Sequence, residues 1–140
     1  MDKKRLHIFL SILLMTSLSA CQRPAEGTNE SAKESIVIGF SQSGTESSWR
    51  KRHTESIRTE LEKEGYEVLY RNGYMNQERQ IQDIRSFIVY QVDAIVFTPL
   101  QEDGWEPILE EAANAGIPVF IVDRHVDLAD PSLFLTHIGP

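Results

Sequence analysis

The chain has one cysteine, Cys21, among its 140 residues. A single thiol closes no internal disulfide and builds no cysteine-based zinc site. Basic side chains are also scarce, 14 Lys and Arg against 21 Asp and Glu, for a formal charge of −7. A nucleic-acid-binding surface needs the opposite balance, which argues against DNA or RNA as a partner. The longest apolar stretch, Leu6 to Leu18, would make a helix of about 20 Å, short of the ~30 Å hydrocarbon core of a bilayer. Phosphate-cradling glycines are missing too. Gly39 and Gly44 have the spacing of a P-loop, but Thr45-Glu46 stands where Lys-Ser/Thr is required, and no Gly-x-Gly-x-x-Gly occurs. The nearest approach to a nucleophile elbow, Gly39-Phe40-Ser41-Gln42-Ser43, lacks its second glycine. His53, His125 and His137 have no metal-type spacing and read as structural or solvated residues. No metal or cofactor is expected.

What is present divides sharply. Asp2-Lys3-Lys4-Arg5, the apolar run and the small residues after it form the three regions of an export signal over residues 1–20. The segment ends Leu18-Ser19-Ala20-Cys21, which resembles the bacterial lipoprotein box. That resemblance implies cleavage before Cys21 and a diacylglyceryl thioether on its sulfur. More than one acyl chain gives stable membrane anchoring where one gives only marginal binding. Gln22 is not aspartate, which in a Gram-negative host implies the outer membrane; a Gram-positive host would hold the protein on its outer face. Loss of residues 1–20 removes three basic residues and one acid, leaving 11 against 20 and a charge of −9. Such a body is repelled by anionic lipid, so the lipid itself must do the tethering. Residues 21–35 contain no large apolar side chain and read as a flexible tether.

From Ile36 onward the composition is that of a globular domain, within a chain that is 41% hydrophobic and 25% charged. Short β-branched runs start at Ile36, Glu67, Ala94 and Val119, and 31, 27 and 25 residues separate them. Each gap is the size of a βαβ unit. Between them, residues 48–64, 76–91 and 105–115 carry helical periodicity, with Gly65 and Gly116 as stops. Leu133 to Ile138 is a fifth candidate strand. The class is therefore α/β, a parallel sheet with helices on both faces and right-handed crossovers.

In such sheets ligands sit beyond the carboxyl ends of the strands. Asp123-Arg124 follows the fourth strand, and a carboxylate beside a guanidinium offers acceptors and donors to vicinal hydroxyls. Trp49-Arg50, opening the first helix, adds an aromatic face and a second donor fork. Sugars have apolar C–H faces and hydroxyl rims, which such a set suits. The competing reading makes Asp123 a turn cap, Arg124 the partner of a surface acid and Trp49 a packing residue.

Gly39-Phe40-Ser41-Gln42-Ser43-Gly44, Ser48-Trp49-Arg50, Gly104-Trp105-Glu106-Pro107 and Ile117-Pro118-Val119-Phe120-Ile121-Val122-Asp123-Arg124 resemble the extracytoplasmic sugar-binding proteins of ABC transporters. The likeness is to the ribose/galactose type, above all its galactofuranose-binding members, and runs through nearly all of residues 36–138. It implies a type I periplasmic-binding-protein lobe over residues 36–140 and a non-enzymatic role: capture of a monosaccharide and delivery to a membrane permease. It also implies that Asp123 and Arg124 hydrogen-bond the sugar, that Trp49 stacks on it and that Arg50 reaches a hydroxyl or the ring oxygen. Gln42 and Glu46 are further candidates from the first loop, and Trp105 is either a family position or a packing residue. Members of the family are bilobal, whereas this sequence stops at Gly139-Pro140, near the first crossover to a second lobe. The expectation is thus an incomplete first lobe, from a fragment or a truncated frame, whose residues 22–140 alone bind sugar weakly or not at all. Other readings are a tethered sensor presenting sugar to a receptor kinase or chemoreceptor, a non-functional half-lobe, and a small esterase.

Overall fold

The computed structural model describes residues 35–140. The expected export signal, Cys21 and all but the last residue of the expected tether lie outside the described residues. Five strands alternate with three helices: β1 (Val37–Gln42), α1 (Ser48–Lys63), β2 (Glu67–Asn72), α2 (Gln77–Tyr90), β3 (Ala94–Phe97), α3 (Glu106–Asn114), β4 (Val119–Val122) and β5 (Thr136–Ile138). They form one sheet in the order β2-β1-β3-β4-β5, and every pairing is parallel. The chain turns left to β2, then crosses back to β3, so the switch point lies between β1 and β3.

Adjacent residues of β1 show that both faces carry helices, because side chains alternate across a strand. Ser41 donates to Asp83 of α2 at 3.2 Å, while Gln42 donates to Thr54 of α1 at 3.0 Å. The two faces are packed differently. Under α2 and α3, Ile84, Phe87, Ile95, Phe97, Trp105, Leu109 and Ile121 are wholly buried. Gly39 belongs to that side: a Cβ there would lie 2.5–2.8 Å from the ring of Phe87, so glycine lets α2 close on β1. The opposite face carries the row Tyr70, Phe40, Val96, Phe120 and Thr136 in register. Phe40 alone of that row is fully buried, since α1 packs over β2 rather than over β3 to β5.

Helix ends follow the sequence signals. Ser47 and Asn76 cap α1 and α2, each accepting a backbone N–H three residues on. Gly65 and Gly116 take positive φ where α1 and α3 stop. Asn72-Gly73 does begin a turn, but the left-handed residues in it are Tyr74 and Met75, not the glycine. Gly73 is required for space instead, because its Cβ would lie 2.4 Å from Cγ of Gln80. The fifth strand is shorter than its apolar run suggests. Asp130 and Pro131 start a single 3₁₀ turn over Pro131–Leu133, and pairing begins only at Thr136.

Candidate functional site

Four of the sequence-predicted residues reach the carboxyl edge through two elements. The first turn of α1 carries Trp49 and Arg50, placed there by the Ser47 cap, whose hydroxyl accepts the Arg50 N–H at 3.1 Å. Trp49 is 53% exposed. Its indole stacks on the imidazole of His53, one turn along, with centroids 4.9 Å apart and planes within 10°. Arg50 is half-buried and donates from Nη1 to the Ser43 hydroxyl. The second element is the end of β4. Asp123 is half-buried at φ 71, a left-handed conformation that aspartate tolerates better than most residues. Its backbone is pinned on both sides: the N–H donates to Ile138 at 2.9 Å, and the carbonyl lies 3.1 Å from Nε2 of His137.

Electrostatics tie the two elements together. Burial holds the His53 imidazole below its ordinary pKa, the Asp123 carboxylate acts to raise it and Arg50 to lower it. An acid from the β4 end and a guanidinium from α1 therefore act on one ring at the same edge of the sheet. Arg124 is exposed and donates from Nη1 to the carbonyl of Leu100, bridging the loops after β4 and β3.

The side chains of the remaining candidates are engaged within the protein. Gln42 is fully buried, with Oε1 accepting the Ser43 N–H at 3.0 Å and Nε2 donating to Thr54. Its amide is occupied within the protein, and it supports the Ser43 that holds Arg50. Glu46 turns back over its own loop, where Oε1 accepts the Thr45 N–H at 3.1 Å. Trp105 is a core residue, 0% exposed, tilted against Phe97 and donating from Nε1 to Gln101. Two residues went unnoticed in the sequence as parts of this edge. Gln80, fully buried in α2, bridges Thr98 and the Leu100 N–H, fixing the loop that Arg124 grips. His53 stands four residues after Trp49, the helical spacing at which side chains meet.

A profile described as a periplasmic binding protein domain matches residues 38–139. The chain belongs to that family. Its fold is the periplasmic-binding-protein type I lobe, a parallel sheet with helices. The chain is 45% identical over 103 residues to the galactofuranose-binding protein YtfQ of Escherichia coli K12, a match covering 74% of this chain and 32% of that protein. It is 34% identical to the fructose import binding protein FruE of Bifidobacterium longum, over 99% of this chain and 43% of the other. Among solved structures, the arabinose ABC transporter binding component of Shewanella sp. ANA-3, bound to L-arabinofuranose, superposes with a TM-score of 0.73. Identity there is 46%, over 74% of this chain and 34% of that one. The chain thus spans between about a third and two fifths of the length of these relatives. All three are sugar-binding transport proteins, and periplasmic binding proteins of this family work outside the cytoplasm.

Proposed function

We propose that this chain is the sugar-recognising first lobe of a solute-binding protein that delivers a monosaccharide to an ABC permease, anchored to the membrane by lipid on Cys21. The observation that carries the reading is the arrangement at the carboxyl edge: an exposed Trp49 face beside the Arg50 guanidinium, with Asp123 acting on the same histidine from β4. An aromatic platform takes the apolar face of a sugar ring, while carboxylate and guanidinium take its hydroxyls. The names of two relatives, galactofuranose-binding and arabinofuranose-bound, favour a five-membered ring among galactose-, galactofuranose- and ribose-like candidates. Titration of a panel of furanose and pyranose monosaccharides into the millimolar range, followed by tryptophan emission and compared with Trp49→Phe, in which only Trp105 emits, tests it. A weak but saturable change with a furanose sugar, absent in Trp49→Phe and with a disaccharide, is expected of this single lobe; a flat response throughout contradicts the reading.

The anchor has its own test. Cys21 is the only cysteine of the chain, so Cys21→Ser removes the sole site for a thioether lipid. The variant is expected to lose incorporation of labelled fatty acid and to move from the membrane pellet to the soluble fraction. Retention of label in the variant contradicts lipidation at Cys21.

A further inference from the structure

The surroundings of the His53 imidazole favour one proton arrangement. Gln42 has no freedom to flip: its Oε1 accepts the backbone Ser43 N–H at 3.0 Å, so the amide nitrogen must point the other way. That nitrogen lies 3.0 Å from Thr54 Oγ1 and 3.4 Å from Nδ1 of His53. The Thr54 hydroxyl spends its own hydrogen on the Arg50 carbonyl at 2.8 Å and can only accept from Gln42. Nδ1 of His53 also faces this donor, at the long end of hydrogen-bonding range, which favours Nδ1 as the acceptor and the hydrogen of the neutral ring on Nε2. A second proton would have to go onto Nδ1. There it would meet the N–H of Gln42 head-on, two donors with nothing between them.

We propose that His53 is a positioning residue of the sugar site: its neutral ring, held by Gln42 on one side and stacked on Trp49 on the other, keeps the indole in the plane a sugar needs, and a proton on Nδ1 releases it. The proposal rests on the sugar-binding reading above and adds to it a dependence on pH. The charged groups facing the ring are Arg50 from its own helix and Asp123 from the end of β4, while β1 contributes only the neutral Gln42. Burial and Arg50 both disfavour the cation, in the same direction as the Gln42 donor; Asp123 and the attraction of a cation to the stacked indole face oppose them, and burial is the largest of the charge and solvation effects. Release thus begins below the ordinary imidazole range of about 6.5. If the protonated form does not hold the platform, apparent sugar affinity falls by a limit of about tenfold per pH unit below the midpoint.

Two variants of the full chain separate this from a merely structural role. His53→Phe keeps an aromatic ring against the indole and has nothing to titrate; His53→Ala removes the ring. Without sugar, the tryptophan emission of the unsubstituted chain, less that of Trp49→Phe in which only Trp105 emits, is expected to follow a single-proton curve lying below the ordinary imidazole range of about 6.5, and the emission of His53→Phe to be flat across that range. With L-arabinofuranose or galactofuranose as probe, affinity is expected to fall along the same curve in the unsubstituted chain. It should be independent of pH above the carboxylate range in His53→Phe and weak at every pH in His53→Ala. An emission curve that survives in His53→Phe, or one that titrates while sugar affinity does not, overturns the proposal. Emission that titrates as expected while neither sugar binds at any pH supports the clamp and counts against the sugar-binding reading beneath it.

Discussion

Replacing Asp123 by glycine is expected to abolish sugar capture while leaving the protein about as stable as before. The two halves of that result have separate causes. Asp123 sits at φ 71, and a left-handed backbone costs an ordinary L-residue roughly 1–2 kcal/mol, less for aspartate. Glycine relieves the strain but brings about 0.5–1 kcal/mol of extra chain entropy in the unfolded state. Net stability should stay within about 1 kcal/mol, and the pairing of the Asp123 N–H with Ile138 needs no side chain. Sugar binding, by contrast, loses the one carboxylate that β4 brings to the edge. Two charge-assisted hydrogen bonds at about 1.5–3 kcal/mol each amount to a loss of 100-fold or more. Urea unfolding and sugar titration on the same preparation read both halves. A large loss of stability with affinity intact would make Asp123 a turn residue, the competing reading of the sequence.

The two tryptophans are expected to behave as opposites. Trp105 is fully buried against Phe97, and its Nε1 hydrogen is satisfied by Gln101. Trp105→Ala removes a large core side chain and should cost about 3–5 kcal/mol, a large share of the stability of a domain this size. Trp49 is more than half exposed, and its only aromatic partner among the described residues is His53. Trp49→Ala should cost under about 1 kcal/mol in unfolding and yet remove the stacking face for the sugar. Denaturation midpoints and sugar titrations of the two variants give four numbers, and the pattern is what matters. Equal destabilisation by both substitutions would mean that Trp49 is a packing residue.

The sheet was legible because its strands are short, β-branched and spaced by whole βαβ units, and parallel strands buried on both faces write that pattern plainly. Trp49, Arg50, Asp123 and Arg124 could be placed at one edge for the same reason: residues after parallel strands share an end of the sheet. What the sequence hid was which way each side chain turns. Gln42 stands at a strand end, where a ligand group is expected, but β1 runs through it, and alternation sends its amide inward to Thr54. Trp105 lies in a loop-like Gly-Trp-Glu-Pro stretch, and only packing against Phe97 makes it core. His53 lacks metal-ligand spacing, and its i, i+4 relation to Trp49 is the signal that bears on it. The fifth strand is short because the 3₁₀ turn that Pro131 opens runs through Leu133, into the apolar run.

On the proposed reading, one edge of the sheet, built from the start of α1 and the end of β4, holds the sugar. Nitrogen–proton correlation spectra of the labelled chain, recorded while a furanose monosaccharide is added into the millimolar range, test it most directly, because they register weak binding and place it. Saturable shifts are predicted for the Trp49 indole N–H and for the backbone amides of Arg50, Asp123 and Arg124, with Trp105 Nε1 unmoved. Shifts confined to another face of the lobe, or none at any concentration, would rule out this edge as the sugar site.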